Sequence, residues 1–196
     1  MRREIGRIFR ESIRVKRAFL RDHANRLAQA VEIVAGALAA GNKLLLFGNG
    51  GSAADAQHIA AEFVNRFKME RPPLPALALT TDSSALTSIA NDYSYNDVFA
   101  KQVEALGRRG DVAIAISTSG NARNVLRAVT ACKRRGVRVI ALTGGSGGKL
   151  AESGELVLCV SATKETARIQ ETHIVIAHTI CELVDEKLFG GGGRKR

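Results

Sequence analysis

The chain has no tryptophan, and aromatic residues make up only 5% of it. Few aromatic rings means few stacking platforms, and none of them interleave with the basic runs "RREIGRIFR", "RVKR", "KRRG" and "GRKR". Proteins that read single-stranded nucleic acid rely on such rings, so nucleic acid is disfavoured as a partner. Cysteine is scarce too. Cys132, Cys159 and Cys181 stand far apart with no CxxC spacing. That excludes a thiolate metal knuckle or a disulfide framework and fits buried thiols in a reducing compartment, here read as the cytoplasm. No apolar run approaches the ~18 residues that cross a bilayer, and no membrane role is expected. The first residues, "MRREIGRIFRESIR", are charged and lack the apolar stretch of a secretory leader.

What remains is an ordinary globular composition of 196 residues, enough for one hydrophobic core. It carries a formal net charge of +10. A basic surface can attract nucleic acid or a phosphorylated metabolite, or it can simply be solvated. With the charges spread along the chain, the solvated surface is the leading reading and an anionic small ligand the second.

Residues 1–40 repeat apolar side chains at three- and four-residue steps: Ile5, Ile8, Phe9 and Ile13, then Ala24, Leu27, Val31, Val34 and Leu38. This predicts a long N-terminal helical segment, stopped at Gly41-Asn42 and carrying an apolar stripe over residues 5–38. Short apolar runs then alternate with helical stretches: "KLLLF" (43–47), "ALALT" (76–80), "VAIAIS" (112–117), "VRVIALT" (137–143) and "ELVLCV" (155–160). They are continuous, as strands buried on both faces are. The series predicts an α/β fold of about five parallel strands between helices. "RPPLP" (71–75) reads as a rigid, extended lead-in to the second strand. A last long helix is expected over about 165–189. The domain boundaries expected are 1–189 for a single domain and 190–196, "GGGGRKR" at its end, for a disordered basic tail.

In open α/β sheets ligands sit beyond the carboxyl ends of the strands. Two such ends are rich in phosphate-holding groups. "GNGGS" (48–52) supplies Asn49, Gly50, Gly51 and Ser52. "STSGN" (117–121) supplies the hydroxyls of Ser117, Thr118 and Ser119 at a helix start. Neither is the G-x-G-x-x-G nor the G-x-x-x-x-G-K-[ST] pattern, which disfavours a dinucleotide or nucleoside triphosphate and leaves a sugar phosphate. "GGSGG" (144–148) reads as a connection only. On the helix after the first loop, His58 and Glu62 stand at i, i+4 and share a face, a half-site for a metal or an acid–base pair. In the last helix Gln170 and His178 are eight residues apart, about 80° out of line. Glu171 and His178 align better, and His173 competes. His23 reads as an ordinary surface residue.

The segments "GNGGSAADAQHIAAEF", "IANDYSYND", "GDVAIAISTSGNARNV", "VIALTGGSGGKLA" and "ARIQETHIVIAH" follow in one order over about residues 5–189. In them the chain resembles the sugar isomerase (SIS) domain family, and within it the phosphoheptose isomerase branch. The resemblance implies a three-layer sandwich around a five-stranded parallel sheet, and a homotetramer with active sites at subunit interfaces, between whose subunits the apolar stripe over residues 5–38 is expected to pack. It implies conversion of sedoheptulose 7-phosphate to D-glycero-D-manno-heptose 7-phosphate, the first step toward heptose precursors of lipopolysaccharide or other surface glycans. It also implies one Zn²⁺ per subunit on His58, Glu62, Gln170 and His178, with Glu62 and His178 as base and acid. Ser52, Ser117, Thr118 and Ser119 fall on phosphate contacts, and Asn49, Gly50, Gly51, Arg66, Asp92 and Gln170 on the substrate site. Two positions depart from the family: Ala122 replaces a frequent serine, and Ala167 an aspartate of some members. The chain also resembles, in "NRFKMERPPLPALALTTD" and "LTSIAND", a related non-catalytic tetrameric factor that binds the replication initiator. That branch lacks the catalytic pair at the positions of Glu62 and His178, so the enzyme is the favoured expectation.

Overall fold

A computed structural model describes residues 1–190. The basic tail expected at 190–196 falls almost entirely outside them. The elements run α1 (Arg2–Ala39), β1 (Leu44–Gly48), α2 (Gly51–Val64), β2 (Ala76–Ala78), α3 (Ser83–Asp92) and α4 (Val98–Leu106). They continue with β3 (Val112–Ser117), α5 (Arg123–Arg135), β4 (Arg138–Gly144), α6 (Gly148–Ser153), β5 (Leu156–Val160) and α7 (Thr166–Phe189). The five strands make one all-parallel sheet in the order β2-β1-β3-β4-β5.

The continuous apolar runs explain the layers. Successive strand side chains point to opposite faces. Leu44 and Leu46 therefore face α1, α2 and α7, while Leu45 and Phe47 face α4 and α5. Both faces are covered, so every residue of β1 and β3 is buried. Strand β2 is the edge, three residues long, and Leu77 on it stays exposed.

The first helix divides in two. From Leu27 to Leu38 one face of it, with Ala30, Val31, Val34, Ala35 and Ala37, is buried in this chain's own core. That corrects the expectation of one stripe over 5–38 packed between subunits: its second half seals the sheet. Ala24, expected on that stripe, is exposed, and so are Ile5, Ile8, Phe9, Ile13 and Leu20. In the first half Val15 and Phe19 are buried in the same core, and polar contacts tie it to α7. Ser12 Oγ donates to Glu171 at 2.6 Å, and Arg168 Nη1 donates to the Ile8 carbonyl at 3.3 Å.

The chain leaves β1 toward β2 on one side, then returns across the sheet to β3 on the other. The carboxyl ends of β1 and β3 thus flank the topological switch point, where an open α/β sheet leaves a crevice. Gly48 pairs in register with Ile116, so the loops following them start at the same level.

Candidate active site

Both loops feed helices whose first turns have no side-chain cap. Gly50 precedes α2 at φ 54°, and Ala122 precedes α5. The leading N–H groups of a helix lack intrahelical partners and carry the positive end of its dipole. Here two such ends open on one crevice. Alanine at 122 supplies no cap to α5, and Val125 N donates instead to Asn124 Oδ1 at 2.9 Å. Ser52 and Ser117 are buried, Thr118 is half-buried and Ser119 is exposed. Ser119 Oγ accepts from Asn121 N at 3.2 Å, which shapes the turn.

Asn49 ties the loops together. Its Nδ2 donates to Asn124 Oδ1 at 2.9 Å, and Asn124 Nδ2 donates back to Asn49 Oδ1 at 2.8 Å. Tyr95 Oη adds a bond to Asn49 Oδ1 at 3.3 Å. Asn124 was not singled out in the sequence; an asparagine in the first turn of the helix after "STSG" was its signal. The 144–148 segment is more than a connection. Leu150 N donates to Gly120 O at 2.9 Å and Lys149 N to Asn121 Oδ1 at 3.2 Å. Gly120 sits at φ +66°, and a Cβ there would run into the carbonyl oxygen of Gly147. The segment is the floor under the Ser117–Ser119 turn.

The other end of the crevice lies between α2 and α7. His58 Nε2 is 3.0 Å from Glu62 Oε1, and His178 Nε2 is 3.5 Å from His58 Nε2. Ligand atoms of His58, Glu62 and His178 all lie within 4.8 Å of one another. Phe67 backs the cluster, with its ring 5.2 Å from that of His178. Two imidazole nitrogens and a carboxylate oxygen are a donor set that zinc takes readily. Asp55, one turn before His58, was missed in the sequence. Burial pushes its carboxyl up, opposed by the nearby His58, and its Oδ2 has no hydrogen-bond partner among the described residues.

Gln170 lies elsewhere on the α2–α7 seam. Its amide rests against Gly51, where a Cβ would collide with Nε2. Gly51 is seven residues before His58, about 10 Å along a helix axis. Gln170 thus stands at the loop end of the crevice, while His178 stands beside His58. The alternatives to it fall away from the triad. Glu171 turns toward α1, held by Ser12 and by Arg168 at 2.9 Å. His173 is buried under β4, with Nε2 donating to the Thr143 carbonyl at 3.0 Å; burial pushes its pKa down to about 4. Arg66 pairs with Glu70 at 2.9 Å beyond the end of α2, and Asp92 accepts from Asn91 at 2.9 Å at the end of α3. Among the described residues neither bonds to the triad or to the loops.

His23 is half-buried, stacked on Phe19, and burial pushes its pKa down. Cys132 and Cys181 are buried free thiols, and Cys159 is partly exposed.

Residues 8–144 match the family model described as "SIS domain". The chain belongs to the phosphoheptose isomerase branch of the SIS domain family. It is 53% identical over 186 residues to a phosphoheptose isomerase of Thermodesulfovibrio yellowstonii, covering 95% of this chain and 92% of that one. To the phosphoheptose isomerase of Aromatoleum aromaticum it is 56% identical over 189 residues, covering 95% of each. The solved structure of phosphoheptose isomerase GmhA from Neisseria gonorrhoeae superposes with a TM-score of 0.88 at 47% identity. That match covers 94% of this chain and 98% of the other. The expected family, fold and enzyme class hold.

Proposed function

We propose that the enzyme converts sedoheptulose 7-phosphate to D-glycero-D-manno-heptose 7-phosphate, the reaction after which its relatives are named. The observation that carries this reading is the separation of two sites along one helix. The uncapped loops stand at the start of α2, and the His58, Glu62 and His178 cluster stands about 10 Å further on. An extended seven-carbon chain spans such a gap, with its phosphate at one end and its carbonyl at the other.

The phosphate is taken by Ser52, Ser117, Thr118 and Ser119 at the positive, N-terminal ends of α2 and α5. Gln170, beside Gly51, and Asn49 line the sugar end of that cradle. Arg66 and Asp92 complete the substrate site from outside the crevice of one subunit. Aldose–ketose exchange moves a proton between neighbouring carbons. Glu62 Oε1 faces His58, and the carboxylate keeps a second oxygen to take the proton from C1 of the ketose. The enediolate that results regains a proton at C2. His178 shifts the hydroxyl proton between O1 and O2, so charge and atoms balance.

Zn²⁺ is the cofactor proposed, on His58, Glu62 and His178; Gln170, the fourth ligand that the family resemblance implies, stands within this subunit at the loop end of the crevice against Gly51. When bound, the ion supplies Lewis-acid polarisation of the substrate carbonyl. A regulatory scaffold that binds a replication protein has no physical need for this donor set, so the enzyme is preferred to that reading. The functional unit proposed is the single domain 1–189.

A homotetramer with active sites at subunit interfaces fits the same reading. Ile5, Ile8, Phe9, Ile13 and Leu20 form an exposed apolar band on the first half of α1, and a second copy of this chain would cover it. No helix among the described residues is long and apolar enough to cross a membrane. The proposed setting is the cytoplasm, at the first step of heptose supply for lipopolysaccharide or another surface glycan.

The test is turnover of sedoheptulose 7-phosphate by the purified protein, before and after chelation and zinc addition. Loss on chelation and return with zinc is the expected result. Turnover indifferent to the chelator removes the metal, and no turnover in zinc-replete protein removes the isomerase reading.

A further inference from the structure

Helix α2 ends two residues after Glu62, so the proposed base sits in the last turn, where helices fray. No glycine closes that end. Its final carbonyls are collected by a side chain from the proline-rich segment instead. Arg71 Nη2 donates to the Glu62 carbonyl at 2.8 Å. Arg71 Nη1 donates to the carbonyls of Phe63 at 2.7 Å and Asn65 at 3.1 Å. Arg71 Nε donates to Asp185 Oδ1 at 2.9 Å. The two side chains are 1% and 3% exposed, so the pair is fully desolvated. A buried pair of this kind is retained at a desolvation cost, which makes it a poor device for stability alone.

Asp185 is on α7, seven residues after His178, two turns down the same helix face. The guanidinium therefore bridges the end of α2, which carries Glu62, to the helix that carries His178. Cys181, between them on α7, reports how close these groups are. Its thiol is pushed up to about 12 by burial first, then by the negative charges of Glu62 and Asp185, with Arg71 acting in the opposite sense. Lys68 ties the same segment to α7 through Glu182 at 2.7 Å. Pro72, Pro73 and Pro75 restrict the backbone next to Arg71, so the fork is presented from a stiff strap.

We propose that Arg71, locked by Asp185, is a positioning residue. It holds the last turn of α2 against α7 and so fixes the distances among His58, Glu62 and His178. Only arginine supplies enough donors in one plane to do this; the lysine ammonium has three, from a single point. The inference rests on the proposed isomerase reading, which assigns that cluster the chemistry.

The experiment compares Arg71→Lys and Asp185→Asn with the wild type. Asp185→Asn keeps an oxygen for Nε and guards against simple unfolding of the lysine variant. Three quantities are read on folded protein: zinc affinity by chelator competition, amide exchange over residues 58–66, and kcat and KM for sedoheptulose 7-phosphate. The expected result for Arg71→Lys is a tenfold or greater loss of zinc affinity, faster exchange in 58–66, and a tenfold or greater fall in kcat with KM within about twofold. Asp185→Asn should show the same pattern at smaller size. A residue that only stabilises the fold would lower the melting temperature and leave zinc affinity and kcat at wild-type values, and that outcome overturns the proposal. If the wild type does not turn over the sugar phosphate, the functional reading fails. Zinc affinity and exchange then still decide the clamp: both unchanged in the two variants overturns it, and both altered sustains it.

Discussion

At the loop end of the crevice the working groups are small hydroxyls and backbone N–H groups, held by glycines and by a reciprocal asparagine pair. At the other end they are three long side chains from two helices that meet only through tertiary packing. His58 and His178 are 120 residues apart in sequence yet 3.5 Å apart in space. The loop end is mostly local in sequence: each loop closes on itself, with Gly120 N donating to Ser117 O and Ser52 N to Asn49 O, and the Asn49–Asn124 pair and the Leu150 N bond to Gly120 O then join the loops to distant segments. The α2–α7 end has no such local guarantee and depends on the seam, on Phe67 and on the Arg71–Asp185 pair. The loop end should therefore govern binding, and the seam should govern the chemical step.

Disturbing each end should give a different signature. The largest effect is expected at the seam. His178→Ala removes the proposed acid and one donor of the triad, and kcat should fall by roughly 10²–10⁴ with little change in KM, measured by steady-state kinetics. Next is the loop floor. Gly120→Ala forces a Cβ toward the Gly147 carbonyl at a positive φ. It should destabilise the fold by about 3 kcal/mol and lower the melting temperature by roughly 6–12 °C, as read by calorimetry.

His173 offers a titration between the two ends. Its folded pKa of about 4 lies below the ordinary histidine value of 6.5 because burial disfavours the cation. Between these values the unfolded chain binds the extra proton, so stability falls as pH drops from about 6.5 to about 4 and levels off below. This one group contributes up to about 3 kcal/mol of that loss. Urea unfolding at several pH values should show a flatter profile in His173→Gln. The smallest effect is expected at a single hydroxyl. Ser117→Ala removes one proposed bond to a charged phosphate, about 1.5 kcal/mol, and should raise KM roughly tenfold while kcat holds.

The same contrast decides how much could be read from the sequence. All five strands were legible, because a strand buried on both faces leaves an uninterrupted apolar run, as "VAIAIS" does for β3. The loops were legible because Gly, Ser and Asn cluster in a few adjacent positions. His58 and Glu62 were visible as an i, i+4 pair. Their partner on α7, His178, came from the family resemblance, because helical phase tells which residues share a face and not which neighbour that face meets. Glu171 had the better phase with His178 but faces α1. Arg71 was hidden among 29 lysines and arginines; nothing in its local sequence marks it as buried, and only the packing of α7 gives it Asp185. The α1 stripe was read as one surface because periodicity ran through it. Val15, Phe19 and the residues from Leu27 to Leu38 are core, while Ile5, Ile8, Phe9, Ile13 and Leu20 are exposed.

The central claim is that Glu62 does the chemistry at the seam while the loops hold the phosphate. The most direct measurement is steady-state turnover of sedoheptulose 7-phosphate by Glu62→Gln beside the wild type. The substitution keeps the shape and an oxygen donor and removes the basicity. If Glu62 is the base, kcat falls at least about a hundredfold with KM within about twofold. Wild-type kcat in Glu62→Gln would contradict it.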